Sequence, residues 1–212
     1  MEAFVPALVT FFVVVDPIGI APIFATLTEG ASRRHKTIMA VKATVVAACI
    51  LFGFAYGGAF LLGAMGITLE AFRAAGGILL FLIALEMVFE KRSERREKRT
   101  HDMVEHRGSV EEDISVFPMA IPMMAGPGAI ATIMLYMKEA GDAFADQIAV
   151  LGAASAVLLI CLAIFLAVGP VLRLLGDTVA QTIGRILGVI LAALAVQLVF
   201  DAVANTFGVA PM

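Results

Sequence analysis

Residues 3–25 would form one uninterrupted apolar helix but for the stretch Asp16-Pro17-Ile18-Gly19-Ile20-Ala21-Pro22-Ile23-Phe24. Pro17 and Pro22 each remove a backbone donor, and Pro17 disfavours helical geometry at Asp16. Aspartate is a good N-cap, and proline is favoured at the first position of the helix that follows. The stretch therefore predicts a chain break at Asp16 and a short half-helix over 17–25.

The setting of this break is a membrane. Of 212 residues, 61% are hydrophobic and 16% charged, with a mean hydropathy of +0.98; a soluble domain is about half apolar and about a quarter charged. A helix needs about 20 mostly apolar residues to cross the hydrocarbon core. Six segments qualify: 3–25, 38–62, 72–89, 114–136, 147–170 and 180–203. Loops are expected at 26–37, 63–71, 90–113, 137–146 and 171–179. The N-terminus lacks the basic region of a cleaved signal peptide, so the first segment is expected to be retained as a span. Cys49 and Cys161 lie deep in apolar runs without CxxC spacing and read as small hydrophobes. His35, His101 and His106 fall in charged loops without ligand spacing, so neither a metal nor another cofactor is expected.

Charge is concentrated. Fifteen of the 33 charged residues lie in 90–113, seven basic against eight acidic. The mixed signs argue against a nucleic-acid footprint and for a solvated linker. Thirteen of the 15 Lys and Arg fall in or beside loops one, three and five; Arg73 and Lys138 are the exceptions. Cytoplasmic loops carry the basic excess, so both termini are expected to face outward.

The chain also repeats. A shift of 110 lays PIGIAPIF (17–24) on PGAIATIM (127–134), matching at Pro, Ile, Ala and Ile. A shift of 111 lays Gly77-Ile78-Leu79-Leu80 on Gly188-Val189-Ile190-Leu191, and Val88-Phe89 on Val199-Phe200. Chance likeness between leucine- and alanine-rich helices is the simpler alternative. If the repeat is real, three spans is an odd number and the second copy enters the membrane inverted. The expected architecture is an all-α membrane protein of six transmembrane helices in two inverted-topology repeats, 1–89 and 114–212, joined by the 90–113 linker, with helices one and four broken. Gly53 and Gly57, and Gly184 and Gly188, have the spacing that lets helices approach closely.

The second break, at Pro118, Pro122 and Gly126-Pro127-Gly128, differs from the first in chemistry. No side chain occupies the cap position before Pro127, so the N–H groups opening that half-helix are left for an anion. Asp16 is the only ionisable side chain near the middle of a span, and such a carboxylate by default marks a functional site; the plainer alternative is that it only caps its own half-helix. Together the two breaks suit a small zwitterion, with its amine toward Asp16 and its carboxylate toward 126–129. The candidate substrate-binding residues are Asp16, Pro17, Gly19, Pro22, Pro122, Gly126, Pro127, Gly128 and Thr132, with Asp16 also the candidate proton-coupling group. Glu86, Arg73, Arg185 and Gln197 are weaker candidates, with interfacial anchoring the simpler reading for both arginines.

At DPIGIAPIF (16–24), PMAIPMMAGPGAI (118–130) and RAAGGILLF (73–81) the sequence resembles the MarC family of bacterial and archaeal integral membrane proteins. That resemblance implies six spans with an outward C-terminus, a prokaryotic inner membrane, and kinship with transporters of small neutral amino acids. Many members carry Asn after the DPIG glycine, where this chain has Ile20, so substrate choice here can differ.

The expected function is a secondary transporter of small neutral solutes, amino acids first, with proton coupling through Asp16. The expected partners are that solute and the lipid bilayer, and oligomeric state is left open. No P-loop is present. Enzyme chemistry is disfavoured because no span holds a histidine and no GxSxG motif occurs. The alternative is a non-transporting scaffold or stress-related membrane component, in which the breaks are merely structural.

Overall fold

A computed structural model describes residues 3–89 and 113–208, so the expected linker lies outside the described residues apart from Asp113. The chain runs through α1 (Phe4–Val15), α2 (Pro17–Leu27), α3 (Arg33–Ala64) and α4 (Leu69–Val88). The irregular segment Ser115–Met124 follows, then α5 (Pro127–Ala140), α6 (Phe144–Leu166) and α7 (Val168–Phe207). Among the described residues no strand is present. Among the described residues five helical spans are long and apolar enough to cross a membrane, the first being α1 and α2 taken together. Ser115–Met124 and α5, bent by 58°, bring the number to six when the pair is counted as one span.

The joint at Asp16 forms as the sequence predicts. Asp16 takes the left-handed conformation (φ 58°, ψ 65°), the only non-glycine to do so among the described residues. Aspartate tolerates this region better than most residues. Its N–H closes α1 on the Phe12 carbonyl at 2.9 Å, and its Oδ1 accepts from Gly19 N at 3.0 Å to open α2. At 1.5 Å per residue, α1 is about 18 Å long and α2 about 16 Å. Asp16 therefore lies near the middle of a hydrocarbon core about 30 Å thick.

The second broken span is less regular. Phe117 and Ile121 are extended (φ -125° and -121°) before the cis prolines Pro118 and Pro122, and the chain between them winds in wide turns. Regular helix resumes at Pro127. Three loops are shorter than expected, because α3 runs from Arg33 to Ala64 and α6 begins at Phe144. The expected loop 171–179 is helical, inside the 40-residue α7. One glycine costs a helix only about 1 kcal/mol. A helix about 60 Å long also extends well beyond the core, where charge is tolerated.

Span one lies at the centre, with 67% of its most apolar window buried against 22% for α3 and for α7. The core joins Phe11, Ile20 and Phe24 to Leu80, Met119, Met124, Ile133 and Phe165. The outer surfaces of α3, α6 and α7 present Phe60, Leu159 and Val189, as surfaces facing lipid tails do.

The packing is an exchange. α3 packs on Ser115–Met124 and α5, whereas α6 packs on α1 and α2 and also on its neighbour in sequence, α5. α4 packs on α5 and α2 packs on α7; α3 meets α6, and α4 meets α7 in the most extensive contact. Within that last contact, a Cβ on Gly77 would lie 2.8 Å from the Ala195 carbonyl oxygen, 2.8 Å from Val199 Cγ2 and 3.3 Å from Leu198 Cβ. A Cβ on Gly188 would meet Ala84 O at 3.2 Å, Val88 Cγ2 at 3.1 Å and Met87 Cβ at 2.9 Å. Gly53, Gly57 and Gly184, expected to bring helices together, face no atom within 4 Å. Of the four glycines expected to do this, only Gly188 does, and its counterpart is Gly77.

Candidate functional site

The two breaks approach each other. α1 and α5 run antiparallel, since Thr10 Oγ1 and Tyr136 Oη share a hydrogen bond at 3.0 Å and Phe11 packs on the Tyr136 ring. Four residues further along α1, Val14 Cγ1 comes within 3.1 Å of where a Gly128 Cβ would be. Val14 precedes Asp16 by two residues and Gly128 sits in the first turn of α5, so the openings of α2 and α5 are neighbours.

Each glycine of the breaks has a steric reason. A Cβ on Gly19 would collide with the Asp16 carboxylate, coming within 2.7 Å of its Cγ. The Asp–Pro–x–Gly spacing thus lets a carboxylate fold over the first turn of its own helix. A Cβ on Gly126 would sit 2.5 Å from the Pro122 carbonyl oxygen, so glycine permits the chain to fold back there. A Cβ on Gly128 would press into Ile83 Cδ1 at 2.7 Å and Val14; its absence admits α1 and α4.

Of the predicted site residues, Asp16, Pro17, Gly128 and Thr132 are buried, Gly19, Pro122 and Gly126 are half-buried, and Pro22 and Pro127 are exposed. Pro22, which has no N–H, leaves the Ile18 carbonyl without its helical donor. Thr132 donates its hydroxyl to the Gly128 carbonyl at 2.8 Å. Asp16 is 8% exposed, and Cys161 of α6 lies within electrostatic range of it. α5 opens at Gly126 with no side-chain cap. The breaks thus offer a buried carboxylate and an uncapped helix end, as their sequences indicate. The two cavities described, about 490 Å³ around Tyr56, Met134 and Lys138 and about 550 Å³ around Arg33, Lys36 and Phe165, lie toward opposite ends of the bundle.

Two polar ties escaped the sequence reading. Arg73 Nη2 donates to Glu139 Oε1 at 2.8 Å, joining α4 to α5, and Arg73 Nη1 is 3.6 Å from Glu70. The Arg73 side chain is 12% exposed, so it is a link between helices rather than an interfacial anchor. The Glu70–Arg73 spacing of three was the available signal; Glu139 could be assigned only from the fold. At the other end Asp113 accepts from the Ser115 hydroxyl and N–H and from Lys42 Nζ at 3.1 Å. These bonds, Ser115's first and despite the opposing cost of burial, hold its carboxyl down from the ordinary 3.8 to about 2. Gln197, a candidate cavity residue, instead donates to Asp201 on its own helix at 2.8 Å.

Broken, buried apolar helices around a central carboxylate define an integral, multi-pass α-helical membrane protein. More particularly, the chain belongs to the MarC family of integral membrane proteins, whose model matches residues 1–207. Its relatives include a UPF0056 membrane protein of Methanocaldococcus jannaschii, 35% identical over 96% of this chain and 97% of that one. The UPF0056 proteins YvbG of Bacillus subtilis (36%, 90% and 89%) and YhcE of Escherichia coli (31%, 92% and 89%) are similar over nearly their full lengths. The family thus spans bacteria and archaea. No solved structure matches the chain.

Proposed function

We propose that the protein is a secondary transporter of small neutral zwitterions, amino acids first, and that the solute is held where α2 and α5 open. The observation that carries this reading is the approach of two half-helix N-termini inside the bundle, one with a buried carboxylate and one uncapped. Helix starts carry partial positive charge and free donors, which suit a solute carboxylate at Gly126–Ala129. The Asp16 carboxylate and the Ile18 carbonyl suit an amine. One Asp16 oxygen holds the Gly19 cap, and a proton on the carboxyl would couple solute binding to a proton gradient.

The inverted repeat belongs to this proposal. Residues 84, 87 and 88 become 195, 198 and 199 under the shift of 111 that carries Gly77 to Gly188. The partners of the two glycines exchange under the same shift. Reciprocal contacts of that kind are what a two-fold axis produces, and the exchange of α3 and α6 between the broken spans supports the same axis. Alternating access would then be a rocking of one repeat against the other. The basic end of the bundle is taken as cytoplasmic, with both termini outward across a prokaryotic inner membrane.

A scaffold without transport is the second reading, favoured by the tight packing of Val14 and Ile83 on Gly128. Solute binding separates the two. Millimolar alanine or serine should raise the thermal midpoint of the purified protein by a few degrees, and Asp16→Asn should abolish the rise. No rise with any neutral amino acid would favour the scaffold.

A further inference from the structure

At the basic end of the bundle, Ala25 of α2, Ala31, the first turn of α3 and the α6–α7 corner enclose a cavity of about 550 Å³. Its lining divides by chemistry. Arg33, Lys36 and Thr37 form one side; Ala25, Phe165 and Leu166 give an apolar wall that continues to Val168 and Pro170. Among the described residues no carboxylate lines it, and neither Arg33 nor Lys36 forms a salt bridge. Three residues apart on one helix, the two cations are neighbours. Ser32 fixes the start of that helix by accepting from His35 N at 3.2 Å. Phe24 stacks on Phe165 at 4.5 Å and braces the apolar wall. The cavity lies where α2 and α6 end and α3 begins.

We propose that this cavity is a binding site for an anionic phospholipid, its phosphate between Arg33 and Lys36 and its acyl chains leaving along Ala25, Phe165 and Leu166. A cation pair without a counter-charge recognises a phosphate, and basic pockets between spans are known to hold anionic headgroups. The apolar wall selects a lipid over free phosphate, because an inorganic ion gains nothing from Phe165 and Leu166. The inference stands apart from transport and from the direction in which the chain is inserted.

The test is native mass spectrometry of the full-length protein released from vesicles of phosphatidylcholine with phosphatidylglycerol. Wild type should retain phosphatidylglycerol preferentially, and Arg33→Gln/Lys36→Gln should lose roughly tenfold or more of that retention. Arg34→Gln, a neighbouring exposed cation outside the lining, should leave it unchanged. Arg33→Lys/Lys36→Arg should keep most of it, which separates loss of the site from misfolding, and each variant's thermal midpoint is measured alongside. No preference in wild type, an equal loss in Arg34→Gln, or displacement of the lipid by millimolar inorganic phosphate would overturn the proposal.

Discussion

Gly77 and Gly188 make the same contact from opposite sides of the α4–α7 pair: each faces a carbonyl, a β-branched methyl and a side-chain stem that lie 111 residues from those facing the other. Neither helix can move away from the other without breaking both contacts. Gly77→Ala and Gly188→Ala should each destabilise the protein in detergent by about 1–3 kcal/mol, the range for overpacked cores. Gly53→Ala and Gly57→Ala, which face open space inside α3, should be neutral or stabilising by up to about 1 kcal/mol. Thermal unfolding followed by size exclusion checks both; loss only in the second pair would refute this packing.

The Asp16–Gly19 relationship predicts a coupled pair. Gly19→Ala should be costly with Asp16 present because the new methyl meets its carboxylate. In an Asp16→Gly background most of that cost should disappear, since glycine accepts the left-handed joint without a side chain. A double-mutant cycle on thermal stability should show coupling of about 1 kcal/mol or more. Additive effects would mean that the two residues do not touch.

The tie between α4 and α5 predicts an asymmetry. Arg73→Gln leaves Glu70 and Glu139 near each other without their cation, whereas Glu139→Gln keeps a hydrogen-bond acceptor for Arg73. The first should destabilise by on the order of 1–2 kcal/mol, between exposed and buried pairs, and the second by less. Equal effects in a thermal-melt comparison would contradict this arrangement.

Asp113 predicts a pH dependence. Its carboxyl is held below its ordinary 3.8, at about 2, so the ionised form stabilises the fold. That contribution is complete above about pH 4 and is lost as pH falls through 2. Asp113→Asn should therefore lower the melting temperature slightly at pH 6 and converge on wild type near pH 2. The effect is small because the Asp113 side chain is itself half exposed, so solvent screens its interactions. A constant difference across that range would exclude the Asp113–Ser115 bond as its source.

Much of this was legible in the chain. The break at Asp16 could be read because proline chemistry and cap preference agree locally. The equivalence of Gly77 and Gly188 was visible as a shift of 111, but their contact was not, because spacing says nothing about which faces meet. Gly53 and Gly57 show the converse, a packing spacing turned to the outside. The extended residues before Pro118 and Pro122 follow from the same proline rule that applies at Asp16, whereas the wide turns between them are set by packing that an apolar sequence does not advertise. Arg73–Glu139 joins residues 66 apart, so only the fold brings them together. Most misleading was 171–179, where Gly176 and two charges look like a loop, although a helix that leaves the membrane carries such residues at little cost.

Counterflow of radiolabelled alanine and serine into proteoliposomes tests the central claim most directly, with wild type and Asp16→Asn reconstituted side by side. A site built where α2 and α5 open predicts counterflow by wild type at least tenfold above protein-free liposomes, and its loss in Asp16→Asn. Counterflow that persists unchanged in Asp16→Asn, or none in wild type with any neutral amino acid, would contradict it.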